Sequence, residues 1–176
     1  MCGIAGFSYF NPNPKISKKF FEIEKLLLHR GPENSGCFKN SHLNLLHTRL
    51  SIVDLKGGNQ PIENKRYVLI VNGEIYNDPE IRNKNKSYKY STNSDSESIL
   101  AQYQQNGIKG LRDLRGMYAF IIYDKKLDEL IIGRDEFGTK PLYFSLHKEG
   151  IIFCSEMKPI KSLKKLDDKI NTFKFS

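Results

Sequence analysis

Long apolar runs are missing from this sequence of 176 residues. Nothing in it approaches the roughly 20 consecutive apolar residues that cross a bilayer. The opening MCGIAGFSYF has neither the basic start nor the long apolar centre of a secretory signal, so a cytoplasmic protein with no membrane partner is expected. Cysteine is also scarce. Cys2, Cys37 and Cys154 are too few and too scattered for a disulfide framework, and no C-x-x-C pair suggests zinc or a dithiol redox site. His29, His42, His47 and His147 form no H-E-x-x-H or similar spacing, so no metal is expected. The net charge of +8 raises the question of nucleic acid. Yet the lysines are dispersed through Asn-rich stretches such as IRNKNKSYKY and through IKSLKKLDDK, with no recognisable nucleic-acid module around them. That distribution describes a solvated surface and no nucleic-acid partner. No internal repeat is visible.

What is present suits one globular domain with a full core: 39% apolar and 27% charged residues. A first strand is predicted over Gly3–Tyr9, ended by Asn-Pro-Asn-Pro. Ile16, Phe20, Ile23 and Leu27 then recur at helical spacing up to the stop at Gly31-Pro32. Further strands are expected at Leu43–Leu46, Leu50–Val53, Tyr67–Val71, Met117–Tyr123, Leu130–Ile132, Leu142–Phe144 and Ile151–Cys154. A second helix is expected from about Asp95 to Gln105, opened by a capping box at Ser94-Asp95-Ser96-Glu97 and closed by Asn106-Gly107. Strands in runs, flanked by a few helices, argue for an α+β domain of two packed sheets and against alternating βαβ units. The domain is placed at residues 1–160. Residues 161–176 read as a linker or the truncated start of a following domain. Cys37 and Cys154 read as buried small residues.

Cys2 carries the most pointed chemistry. A small residue at position 2 permits removal of Met1, which leaves a thiol and a free α-amino group on one residue. An α-amine of pKa about 7.7 to 8.0 is partly free base near neutral pH and can activate the neighbouring thiol. Such an arrangement performs covalent acyl transfer without a histidine partner. From its position alone, Cys2 reads as a small residue leading into a buried strand, and it is the other motifs that change this.

The segments MCGIAGF, HRGP, HTRLSIVD, GNQP, NGEIYN, SDSE and GRDEFGTKPLYF occur in the order found in class II glutamine amidotransferases. The chain resembles that family from Met1 to about Pro159. NGEIYN and GRDEFGTKPLY are most similar to the N-terminal domain of glutamine-hydrolysing asparagine synthetases. The resemblance implies an N-terminal nucleophile hydrolase fold, a four-layer αββα sandwich with two stacked antiparallel sheets. It implies that Cys2 attacks the side-chain amide of glutamine, giving ammonia and a γ-glutamyl thioester that water converts to glutamate. No cofactor is implied for that half-reaction.

The family pattern places the Asn72 side chain and the Gly73 N–H in an oxyanion hole, and Arg49 on the substrate α-carboxylate. Leu50, Ser51, Ile52 and Val53 are implied to supply backbone contacts, and Asp95, with Glu74, to receive the α-amino group. Taken alone, Asn-Gly reads as a hairpin turn, Arg49 as a surface arginine and Asp95 as part of a helix cap. Glu33 stands where the family usually has Asp, which bears on the adjoining substrate loop. Arg134, Asp135 and Lys140 are assigned a structural strand and turn, with no catalytic role. Asparagine synthetases also carry an ATP-dependent domain with an S-G-G-x-D-S loop, absent here, so ATP and magnesium are expected only for such a domain. The expected partners are glutamine and a synthetase domain or subunit that takes the ammonia, with self-association as a homodimer compatible. A non-catalytic glutamine-binding module that retains Met1, or an amidotransferase serving another carboxylate acceptor, are the alternatives.

Overall fold

The computed structural model describes residues 1–10, 14–51, 54, 57–148 and 150–163. In chain order the elements are β1 (Gly3–Tyr9), α1 (Pro14–Leu27), β2 (Asn34–Lys39), β3 (Leu43–Arg49), β4 (Ile62–Glu63) and β5 (Tyr67–Ile75). They continue with α2 (Asp78–Lys84), α3 (Glu97–Gly110), β6 (Gly116–Asp124), β7 (Glu129–Arg134), β8 (Tyr143–His147), β9 (Gly150–Cys154) and α4 (Met157–Leu163). One antiparallel sheet runs β2-β3-β1-β9-β8 and the other β4-β5-β6-β7.

Side-chain alternation along the strands sorts the apolar residues into three layers. Ile4, Leu43, Leu45, Val68, Ile70, Ala119, Ile121, Tyr123 and Phe153 meet between the sheets. The opposite face of the five-stranded sheet packs Ala5, Phe7, Leu46 and Ile152 against Phe20, Ile23 and Leu27 of α1 and Ile160 of α4. Burying each such α1 side chain stabilises the layer by about 1.5 to 3 kcal/mol. The outer face of the four-stranded sheet packs Leu69, Val71, Phe120 and Ile122 against Ile81 of α2 and Ile99 and Leu100 of α3. The result is the expected αββα sandwich.

Several local expectations need correcting. Asn72 and Gly73 do not form a turn: β5 continues through them to Ile75. β3 ends at Arg49, so Leu50 and Ser51 are irregular, while Ile52 and Val53 lie outside the described residues. α3 begins at Glu97 and runs on to Gly110, with Gly107 at φ 60° and ψ −149° producing a kink where a stop is predicted. The capping box is not made. The Glu97 carboxylate accepts hydrogen bonds from the N–H groups and hydroxyls of Ser91 and Thr92, and the N-cap residue is Ser96 without a side-chain cap. The domain edge placed at Ile160 falls inside α4. Residues 164–176, most of the expected linker, lie outside the described residues.

Candidate active site

The inner faces of both sheets keep one parity, and at one end of the sandwich that parity turns from apolar to polar. In β3 the inner positions run Leu43, Leu45, His47, Arg49; in β5 they run Val68, Ile70, Asn72, Glu74; in β6 Met117 lies opposite Glu74. Gly3 pairs with Thr48, so Cys2, just ahead of β1, comes beside Arg49 at the same end. A cleft opens there, lined by Cys2, Arg49, Leu50, Asn72, Gly73, Glu74 and Asp95 among others. The structure thus brings together every described residue expected at the site except Ser51, which follows Leu50 on the rim.

The Cys2 sulfur rests against the backbone of Leu50, 3.5 Å from its nitrogen and 3.6 Å from its oxygen. Asn72 is buried to 1% exposure, and its side-chain Nδ2 has no hydrogen-bond partner among the described residues. An unpartnered buried amide donor is costly unless something else engages it. Gly73 is oriented by the ladder. Asp135 N–H donates to Tyr118 O at 2.8 Å, and Tyr118 N–H donates to the Asp135 carboxylate at 3.1 Å, so the Tyr118 backbone faces β7. In an antiparallel pair this turns the N–H of Gly73, opposite Tyr118, away from β6. The same edge carries Val71 N–H, which donates to Gln60 Oε1, and Ile75 N–H, which donates to Asp95 Oδ2, each at 2.6 Å. Gly73 lies between them. A Cβ there would sit 2.3 Å from Met117 O, so glycine is required by the close approach of β6 behind it.

Arg49, 6% exposed, is framed by the loop after β3. Its Nη1 donates to Asn59 Oδ1 at 2.8 Å and its Nη2 to the Asp54 carbonyl at 2.6 Å. A Cβ on Gly58 would come within 2.9 Å of that Nη2, so the guanidinium occupies the room glycine leaves. Across the cleft, burial raises the Asp95 carboxyl above its ordinary 3.8, with the charges of Asp78 and Glu74 adding to it and the Ile75 N–H opposing. Glu33 accepts Ser51 N–H at 2.9 Å, and the Ser51 side chain together with that N–H holds its carboxyl below the usual value. The residue that departs from the family pattern is thus bonded to the segment that follows β3.

His47 lies one inner position before Arg49, 1% exposed. Its Nε2 donates to Val71 O at 3.1 Å, which ties the two sheets and requires the neutral imidazole to carry its proton there. Burial drops its pKa to about 3.

The cleft also holds residues to which the sequence reading gave no site role: Met1, Gly58, Gln60, Ser94, Met117 and Lys140. Gly58 and Gln60 both lie in the GNQP segment, whose polar residues were the available signal. Lys140, 8% exposed, is oriented by the turn in which Arg134 Nε donates to its carbonyl and its own N–H donates to Asp135. Arg134 and Asp135 serve that turn, as expected. Cys154 is buried as expected, whereas Cys37 is exposed, because β2 is an edge strand with one open face. Among the described residues, no group of three or more His, Cys, Asp or Glu is placed to hold a metal ion, and no helix is long and apolar enough to cross a membrane.

A four-layer sandwich with a thiol at residue 2, beside an arginine and an unpartnered amide donor, defines an N-terminal nucleophile type of enzyme fold. The fold is shared with solved structures. The structure of the allosteric regulatory enzyme of purine biosynthesis superposes with a TM-score of 0.73 at 22% identity, covering 92% of this chain and 43% of that one. The glutamine phosphoribosylpyrophosphate amidotransferase of B. subtilis gives 0.72 at 20% identity, with the same coverage of each chain. The chain belongs to the glutamine amidotransferase family, whose domain model matches residues 1–176. It is 44% identical over 165 residues to asparagine synthetase B [glutamine-hydrolyzing] of Escherichia coli (strain K12), covering 91% of this chain and 30% of that protein. A probable glutamine-hydrolyzing asparagine synthetase of Dictyostelium discoideum is 40% identical over 168 residues, with 92% and 30% covered. The chain spans less than a third of the length of these relatives.

Proposed function

We propose that this chain hydrolyses the side-chain amide of glutamine, with Cys2 as nucleophile and its own α-amine as base once Met1 is removed. The observation that carries the reading is the pair of donors in the Cys2 cleft: the unpartnered Nδ2 of Asn72 and the edge N–H of Gly73. Sγ adds to the amide carbon as the α-amine takes the thiol proton, and the developing oxyanion lies on Asn72 and Gly73. The C–N bond breaks, the amine returns its proton to the leaving nitrogen, and ammonia departs. Water then cleaves the thioester to glutamate and frees the thiol. Arg49 faces the α-carboxylate, Asp95 and Glu74 face the α-amino group, and the backbone of Leu50 and Ser51 lies along the substrate.

The ammonia serves an ATP-dependent amidation of aspartate by a synthetase domain of the asparagine synthetase kind, in the cytoplasm. The identity to asparagine synthetases supports that acceptor, and any ATP and magnesium belong to that domain. A second reading rests on Met1, which lines the cleft ahead of Cys2. While Met1 remains, the Cys2 nitrogen is an amide and supplies no base, and the domain would bind glutamine without hydrolysing it. Glutamate release measured beside intact mass separates the two. Chain without Met1 is expected to turn over glutamine, and Cys2→Ala to lose all detectable turnover. Full mass with binding but no turnover would establish the second reading. Inactivity of chain lacking Met1 would refute the first.

A further inference from the structure

We propose that Asp54 is a positioning residue that locks the two ends of the glutamine pocket to each other, setting substrate affinity without touching substrate. The inference rests on the glutaminase reading above. Asp54 closes the HTRLSIVD segment in the left-handed region, at φ 50°. Its carbonyl accepts from Arg49 Nη2 at 2.6 Å and from Gly58 N–H at 3.0 Å. Its carboxylate divides: Oδ1 accepts Gly57 N–H and Oδ2 accepts Asn93 N–H, each at 3.0 Å.

The first three bonds are local to one loop, and a turn-forming Asp explains them fully. The fourth is not local. Asn93 lies 39 residues away, immediately before Ser94 and Asp95 of the cleft. On its other side Thr92 is held through both N–H and hydroxyl by the Glu97 carboxylate, with Ser91 held likewise. Glu97 is 1% exposed, so the segment bearing Asp95 is anchored to the start of α3. Asp54 joins that anchored segment to Arg49. One residue therefore fixes the spacing between the cation for the α-carboxylate and the carboxylate for the α-amino group. Groups held to within a fraction of an ångström by such a supporting contact bind a zwitterion with less ordering on association.

Two substitutions grade the effect. Asp54→Asn tolerates the left-handed backbone and keeps one acceptor oxygen, so it loses one of the two carboxylate bonds. Asp54→Gly suits the same backbone, retains the carbonyl that holds Arg49, and loses both. Steady-state glutaminase kinetics on both, with thermal melting, and glutamine titration calorimetry in the Cys2→Ala background, make the test. We expect KM and the calorimetric Kd to rise about fivefold for Asp54→Asn and about twentyfold for Asp54→Gly, with kcat within about twofold. A KM unchanged in both variants, or kcat falling with KM steady, overturns the inference and leaves the glutaminase reading standing. So does a loss of affinity that appears only together with a lowered melting temperature. Wild-type chain without Met1 that neither binds nor hydrolyses glutamine would instead overturn the glutaminase reading, and this inference with it.

Discussion

The two ends of the inter-sheet layer are built from the same strands with the same alternation, yet they end in opposite states. At the end remote from Cys2, the last inner residue of β6 is Tyr123, whose hydroxyl donates to Asp128 Oδ1 at 2.8 Å and accepts from Asn40 Nδ2 at 3.1 Å. His42 Nε2 reaches the same carboxylate oxygen at 2.7 Å, so the hairpin between β2 and β3 is clasped to the hairpin between β6 and β7. Asn40, His42, Tyr123 and Asp128 thus each face another member of the set. At the cleft, Asn72 Nδ2 has no described partner, the Gly73 N–H faces the open edge, and burial disfavours the charge on Asp95. The first end satisfies its polar groups internally and closes the sandwich. The second leaves Asn72 Nδ2 without a described partner in an open cleft.

The largest expected break in this contrast is Asn72→Ala, which should lower kcat for glutamine hydrolysis by about 10² to 10³-fold. Because the native amide donor is already unpartnered, its melting temperature should stay level or rise. A fall in both together would mean that Asn72 is a structural residue like those at the far end.

His47 sits between the ends and sharpens the comparison through pH. Its folded pKa of about 3 lies below the ordinary 6.5, so the unfolded chain binds the extra proton in that window. The stability this group contributes is complete above about pH 6.5 and declines on acidification towards pH 3, by about 2 kcal/mol between pH 6.5 and 5. Thermal melting across that range should show the slope, and His47→Gln, whose side-chain amide can still donate to Val71 O, should flatten it. An unaltered slope in the variant would assign the acid sensitivity to other groups. The smallest effect belongs to the exposed clasp. Asp128→Asn, which tolerates the φ of 57° there, should lower stability by less than about 1 kcal/mol and leave kcat untouched. A change in kcat would show that the two ends communicate.

The contrast also explains which parts of the molecule were legible in the sequence. Where both faces of a strand are apolar, as in Met117–Tyr123, the strand is plain, and Gly3–Tyr9 matches β1 residue for residue. β5 disappears to the eye after Val71 because its inner positions become Asn72 and Glu74, the polar pair that forms the cleft. The site thus disguised its own strand as a turn. Edge strand β2 and two-residue β4 carry too little apolar pattern to be seen, and α2 buries Ile81 alone. The capping box failed because the Glu97 carboxylate found donors in a preceding loop that no local pattern encodes. Cys2, Arg49, Asn72 and Asp95 stand out in the sequence through motif order, which carries no distances. The roles of Gln60 and Asp54 depend on chain segments that meet only in the fold.

Gly73 shows what a crowded backbone does to the history of a site. The obstacle to replacing it stands on the side of β5 that faces β6, away from the edge that carries its N–H, where the Met117 carbonyl leaves no room for a methyl group. A mutation there would be eliminated as a misfolded chain before its catalysis could be tested by selection. The placement of that N–H is consequently passed on with the architecture, and adaptation to a new substrate has to work through the rim of the cleft.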